Sequence, residues 1–290
     1  MNRRHPGRRA GAGLLLLASA LACAQAQPSS PELKVVKVHE NLYEIEGDGS
    51  NVAVRVTSEG VILVDAKHER DHAALVAAVR SVTSQPIRYV FSTHYHEDHS
   101  GGNSKFAPAV EIISTLNTRR NILEQKRPND RQTGPNKVPA QVVFTDETSV
   151  FLGGAEVRAR FFGRGHTNGD AVIYFPDLKT VCLGDLMAGP NPGVDYNGGG
   201  SLLALPETLG RVLAEYDFDT VITGHGPLAN RAALLAYREN VITLTTRAQA
   251  FIRQGKSQEE LAKFMETEFK WAPNSIQQIQ NVPGMMRELK

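Results

Sequence analysis

Along the first part of the chain, apolar and polar positions alternate in short runs. Val35–Val38, Leu42–Glu46, Val52–Val56 and Val61–Val64 are rich in β-branched residues, and Gly47-Asp48-Gly49 and Ser58-Glu59-Gly60 punctuate them. That pattern predicts short strands joined by tight loops. From residue 69 to 82 the apolar positions shift to helical spacing, which predicts a helix. Ile87–Ser92 returns to strand character and runs straight into Thr93-His94-Tyr95-His96. Residues 114–139 are polar and carry Pro128, Pro135 and Pro139, which predicts a short helix over Leu116–Gln125 and then a long loop. A second series of strands is expected over Gln141–Phe144, Thr148–Phe151, Glu156–Phe162, Ala171–Phe175 and Thr180–Leu183. Residues 189–200, rich in Gly, Pro and Asn, must be loop. A helix over Pro206–Glu215 and a strand over Thr220–Thr223 lead into Gly224-His225-Gly226, and helical stretches at 229–254 and 257–269 close the chain. The elements fall into two similar halves. Layer rules turn such a pattern into two sheets packed face to face with helices outside, an α/β sandwich.

Composition changes this picture mainly at the start. With 290 residues, 41% of them apolar, the chain can build a substantial core. Residues 1–13 differ from the rest: they carry Arg3, Arg4, Arg8 and Arg9 and no acid. The apolar run Leu14–Ala22 and Ala24-Gln25-Ala26 follow. Basic region, apolar region and A-x-A site together are the pattern of a secretory signal peptide, so cleavage is expected near Ala26. The expected organisation is a signal peptide over 1–26, a leader over 27–34 and a domain over 35–290. The location would be periplasmic or secreted. A lipoprotein anchored through Cys23 ranks second, because Ala20 stands where such sites usually carry Leu. The apolar run is short for a bilayer span, and no later segment reaches spanning length, so no membrane association is expected of the mature form.

Removing residues 1–26 takes away four arginines and no acid, leaving 28 basic against 31 acidic residues. No basic tract remains, which argues against nucleic acid and for a small-molecule substrate. Cys182 would then be the only cysteine, so no internal disulfide can form.

The candidate chemistry is carried by histidine. Five of the nine histidines, His94, His96, His99, His166 and His225, follow a predicted strand or sit in a glycine-flanked loop. The densest cluster is His94-Tyr95-His96-Glu97-Asp98-His99. In extended backbone, residues two apart share a side, so His94 and His96 can grip one ion. The chain then turns, and Asp98 and His99 can face a second. Imidazole and carboxylate suit zinc, and also iron or manganese. H-x-H-x-D-H directly after an apolar strand is a specific pattern. Gly165-His166-Thr167-Asn168-Gly169-Asp170, Leu183-Gly184-Asp185 and Gly224-His225-Gly226 could each be an ordinary turn, but their joint occurrence at strand ends argues otherwise. His68-Glu69-Arg70-Asp71-His72 literally matches the zincin pattern H-E-x-x-H. That motif works on a helix with apolar, buried neighbours. The inner positions here are Arg and Asp, which reads better as a charged helix start.

Taken together, the motifs resemble those of the metallo-β-lactamase superfamily, over about residues 35–228. The resemblance implies a four-layer αβ/βα sandwich with two metals, zinc first of all, at the edge of the two sheets. Its glyoxalase-II-like ligand order implies His94, His96 and His166 on a first ion, Asp98, His99 and His225 on a second, and Asp185 bridging both. Asp185 stands where one β-lactamase subclass carries a cysteine ligand, and Cys182 is expected to be a buried thiol. Two ions sharing a water would lower its pKa towards neutrality, with Asp98 as catalytic proton relay. Asp65 would support the cluster or simply cap its strand; Lys67 and Tyr196 read as substrate contacts or as packing residues. The implied activity is hydrolysis of a β-lactam, lactone, ester or thioester. An iron-dependent sulfur dioxygenase and a non-catalytic metal-binding protein are the rival readings. Residues 47–51, 114–139 and 187–200 are the loops expected to set specificity. Neither the substrate nor the oligomeric state is legible.

Overall fold

The computed structural model describes residues 1–2, 32–124, 138–275 and 277–290. Nearly all of the expected signal peptide and leader, and the middle of the 114–139 loop, lie outside the described residues.

The first sheet has seven strands in the order β1-β2-β3-β4-β5-β6-β7. These are β1 (Lys34–His39), β2 (Leu42–Glu46), β3 (Val52–Thr57), β4 (Gly60–Val64), β5 (Ile87–Phe91), β6 (Glu111–Thr115) and β7 (Val142–Phe144). β1 to β4 form an antiparallel meander, whereas β4 to β7 run parallel. The parallel strands need crossovers, supplied by α1 (His72–Val82), by the short α2 (Glu97–Ser100) and α3 (Asn103–Phe106), and by α4 (Leu116–Glu124) with the residues after it. The second sheet has the order β13-β12-β11-β10-β9-β8. It comprises β8 (Glu147–Leu152), β9 (Ala155–Arg160), β10 (Val172–Phe175), β11 (Thr180–Cys182), β12 (Thr220–Ile222) and the two-residue β13 (Ala229–Asn230). α5 (Leu205–Glu215), α6 (Arg231–Arg253), α7 (Gln258–Phe269) and α8 (Val282–Glu288) cover its outer face.

Side-chain alternation explains the layering. In β10, Ile173 and Phe175 join the core between the sheets, with Val64, Phe91, Cys182 and Ile222. Val172 and Tyr174 point the other way, onto α5 and α6. On the first sheet, Val54, Leu63 and Val90 pack outward against Leu75 and Val79 of α1. Three apolar layers therefore separate helix, sheet, sheet and helix, the αβ/βα sandwich expected from the sequence. The expected strands are present, usually within one residue at each end. β6, β13 and α8 were not foreseen. The expected 69–82 helix is a 3₁₀ turn over Glu69–Asp71 followed by α1.

One charge sits badly in this core. Glu44 of β2 is fully buried, and neither carboxylate oxygen has a hydrogen-bond partner among the described residues. Burial, aided by nearby Glu46 and opposed by Lys34 and Lys67, pushes its pKa up to about 7. The folded chain then binds more protons than the unfolded chain between the ordinary pKa of 4.5 and about 7. Stability falls as pH rises through that window, and the penalty is complete above it, at roughly 3 kcal/mol. Glu44→Gln is therefore expected to leave the melting temperature almost unchanged at pH 4.5 and to raise it at pH 8, read by thermal denaturation at both values. A gain that is the same at both pH values would show that this burial does not carry the effect.

Candidate metal centre

The chemistry-bearing residues leave strands at one end of the sandwich. Asp65 follows β4, the His94–His99 segment follows β5, Asp185 follows β11 and His225 follows β12; His166 comes from the loop between β9 and β10. All seven residues expected to hold metal converge. His94, His96, His166 and Asp185 form one cluster, and Asp98, His99 and His225 a second, each with its potential ligand atoms within 4.8 Å of one another. The expected H-E-x-x-H decoy does not converge. His68 is extended ahead of the 3₁₀ turn, and Glu69 pairs with Lys105 at 2.9 Å. His72 instead packs edge-on against Phe106.

In the first cluster His94 presents Nε2, His96 Nδ1 and His166 Nε2, with His96 Nδ1 at 3.0 Å from the first and 2.9 Å from the second. Asp185 lies between the clusters with its oxygens divided. Oδ2 is 3.4 Å from His166 Nε2 and 3.9 Å from His94 Nε2, while Oδ1 is 3.2 Å from His99 Nε2 and 3.4 Å from His225 Nε2. Asp98 Oδ2 completes the second cluster at 3.1 Å from His225 Nε2. Burial alone would raise the carboxyl pKa values of Asp98 and Asp185. His99 and His225 at Asp98, and His99 and His166 at Asp185, more than offset it and hold both carboxyls well below the usual range. Burial likewise works to lower His99, but Asp185, Asp98 and Asp65 together raise it well above the ordinary value.

This donor set fits cations. Asp185 Oδ1 is buried with no hydrogen-bond donor among the described residues, an orphaned acceptor that a positive ion would satisfy. The far nitrogens of three histidines are also engaged, as metal-ligating imidazoles require. His99 Nδ1 donates to Asp65 Oδ2 at 2.7 Å and His166 Nδ1 to the Gly193 carbonyl at 2.8 Å. His96 Nε2 donates to Asp195 Oδ2 at 2.9 Å, and Asp195 also accepts a short hydrogen bond from the Tyr95 hydroxyl. Asp65 thus does more than end its strand: its carboxylate also takes the Thr93 amide and hydroxyl at 2.7 and 2.8 Å.

Asp195 was not foreseen. It lies in an irregular Gly/Pro/Asn loop with no periodicity to single it out. Lys67 and Tyr196 are packing residues. Lys67 is buried, its Nζ donating to the Asp48 and Ser50 carbonyls at 3.0 and 2.5 Å, and burial lowers its pKa to about 8. Tyr196 packs its ring on Gly284 of α8, and Cys182 is buried as expected.

The expected specificity loops also brace the site. Ser50 Oγ donates to the Asp98 carbonyl at 2.7 Å, and the Asn51 amide to the Gly224 carbonyl at 2.8 Å. These contacts tie the two metal-facing loops together. Gly102 and Gly224 permit close approaches. A Cβ on Gly102 would lie 2.1 Å from the Ala66 carbonyl, and one on Gly224 2.1 Å from Asp185 Oδ1.

The sequence profile of the metallo-beta-lactamase superfamily matches residues 45–225, a stretch that includes all seven clustered residues. The chain belongs to the metallo-β-lactamase superfamily. Metallo-beta-lactamase IND-1 of Chryseobacterium indologenes is 26% identical over 181 residues, covering 61% of this chain and 71% of the relative. A hydroxyacylglutathione hydrolase of Crocosphaera subtropica is 27% identical over 100 residues, 34% of each protein. Among solved structures, the metallo-beta-lactamase from Pontibacter korlensis superposes with a TM-score of 0.63 at 22% identity, over 72% of this chain and all of that one. DIM-1 metallo-beta-lactamase gives 0.63 at 24% identity, over 73% of this chain and 98% of that one. Those structural likenesses establish the superfamily fold. Family and relatives support a metal-dependent hydrolase, and the paired clusters suit divalent metal. No helix among the described residues is long and apolar enough to cross a membrane.

Proposed function

We propose that the protein is an exported two-zinc hydrolase that cleaves an acyl bond in a small molecule, with lactones, esters and thioesters ahead of β-lactams. The observation that carries this reading is the division of Asp185, one oxygen towards each histidine cluster. A lone four-ligand site would have no use for the second set. His94, His96 and His166 would hold one ion, and Asp98, His99 and His225 the other. Zinc, when bound, supplies an acidified water and Lewis-acid polarisation of the acyl oxygen. The chain's own groups do the rest. Asp65 and Asp195 hold the His99 and His96 rings in one tautomer, so that His99 Nε2 and His96 Nδ1 stay turned to the clusters. Asp98, a quarter exposed, would orient the attacking water and carry a proton to the leaving atom. Export rests on the arginine-rich start, the apolar run and the Ala24-Gln25-Ala26 site.

The ranking of substrates follows from charge. A carboxylate between the clusters makes them weaker electrophiles for the anionic nitrogen that a β-lactam releases, whereas a thiolate or alkoxide needs less help. A panel of cephalosporin, carbapenem, lactone and glutathione thioester, assayed at matched zinc, tests this. Catalytic efficiency on at least one oxygen or sulfur ester is expected to exceed that on every β-lactam. Turnover confined to β-lactams would reverse the ranking, and no turnover of any acyl bond by zinc-loaded protein would end the hydrolase reading.

A further inference from the structure

A cavity of about 690 Å³ opens beside the second cluster, and His225 is part of its wall. Its floor and sides are Met187 and Pro190 from the loop after β11, Pro227 and Leu228 from the turn after His225, and Ala233 and Tyr237 of α6. The volume lies within the range of small-molecule sites. Among the described residues, no Lys, Arg, Asp or Glu lines it. Three of its polar side chains are engaged with the protein, whereas the buried Tyr237 hydroxyl has no hydrogen-bond partner among the described residues. Thr223 Oγ1 donates to the His225 carbonyl at 2.9 Å, Asn240 Nδ2 donates to the Pro190 carbonyl at 3.2 Å, and Asn230 Oδ1 accepts the Ala233 amide at 2.9 Å as the cap of α6. The surface left to a ligand is thus mostly hydrocarbon, with the His225 imidazole and the Tyr237 hydroxyl as its polar groups.

Three cations near the centre, among the described residues, are also engaged. Lys67 is buried against two backbone carbonyls. Lys34, on the other side of His225, is ion-paired with Glu46 at 3.0 Å, and Arg70 with Asp48 at 2.8 Å. An anionic arm placed in the cavity would lose water and meet no positive side chain among the described residues that line it. An apolar arm would gain from leaving water.

We propose that this cavity is a substrate subsite for an uncharged, apolar arm, so that the preferred substrates are neutral esters, thioesters or lactones with an aliphatic or aromatic group beside the scissile bond. The proposal rests on the acyl-hydrolase reading for its substrate class but not for its binding surface, and the two can be tested apart. Hydrolysis is followed by thiol release from two series of neutral thioesters, one lengthened on the acyl side and one on the thiol side, each with a twin ending in a carboxylate. Binding is followed by calorimetry with unreactive N-alkyl acetamides of four and eight carbons on the zinc-loaded protein. In at least one series kcat/KM is expected to rise roughly threefold per methylene until the cavity is full, and the carboxylate twin to fall back to the short-chain value. The eight-carbon amide should bind more tightly than the four-carbon one. Ala236→Trp, exposed on α6 at the cavity rim and so safe for folding, and Ala233→Phe, deeper in the wall, should both collapse the long-to-short ratio in hydrolysis and in binding. Chain-length-dependent binding that these variants abolish, without turnover, would keep the subsite and remove the hydrolase reading. Turnover that is flat with chain length and indifferent to both variants would overturn the subsite and leave the hydrolase. Neither binding nor turnover at any length would overturn both.

Discussion

His96→Ala and His166→Ala are each expected to empty the first cluster and to lower turnover about a thousandfold or more. Each removes one of three imidazoles of the cluster, in which His96 Nδ1 lies 3.0 Å from His94 Nε2 and 2.9 Å from His166 Nε2. The replacement methyl offers no lone pair, and the ion's Lewis acidity is worth several kcal/mol to the barrier, or about a decade in rate for every 1.4 kcal/mol. The control lies in the same chain. Glu69→Ala and His72→Ala belong to the H-E-x-x-H string, whose histidines do not share a helix face and whose glutamate is tied to Lys105. Those two variants should keep metal content and stay within roughly threefold of the parent rate. Metal analysis and steady-state rates on the four proteins decide the matter. A dead Glu69→Ala with metal still bound would transfer the site to the zincin motif.

Asp185→Asn should be nearly as damaging, for a different reason. The amide keeps the shape of the carboxylate but removes its negative charge and turns an N–H towards one cluster. Each oxygen faces one cluster, Oδ2 near His166 and Oδ1 near His99 and His225, so either amide orientation opposes one ion. The expected outcome is one metal per chain in place of two and turnover reduced by about a hundredfold to a thousandfold. Full metal content and parental rate in Asp185→Asn would mean that the carboxylate does not bridge. Gly224 carries the same dependence in its backbone, because any Cβ there would collide with Asp185 Oδ1.

The alternation of apolar residues made most strands legible, since burial on one or both faces writes itself into a two-residue period. β6 escaped because Glu111–Thr115 has only two strongly apolar residues, Ile112 and Ile113, before a polar stretch. α8 escaped because Pro283 and Gly284 interrupt its short apolar pattern, although a side chain at Gly284 would collide with the Tyr196 ring. The metal-facing residues were legible because histidines beside glycines at strand ends are chemically unusual. Their supporting partners were less so. Asp65 could be named from its place after β4, but its bond to His99 depends on how β4 and β5 align. Asp195 reaches His96 across 99 residues of chain, from a loop whose course is set by backbone contacts such as Asp195 N to the His166 carbonyl. The apolar cavity beside His225 was equally invisible, because it is made only when α6 folds back over the turn after β12.

Two ions are proposed to sit on either side of Asp185. Elemental analysis of the purified chain, titrated with zinc to saturation and with protein quantified independently, tests it most directly. Close to two zinc ions per chain are expected, falling to about one in Asp185→Asn. A single tightly bound iron, with no hydrolysis of any acyl substrate, would contradict it and favour an iron-dependent oxidoreductase.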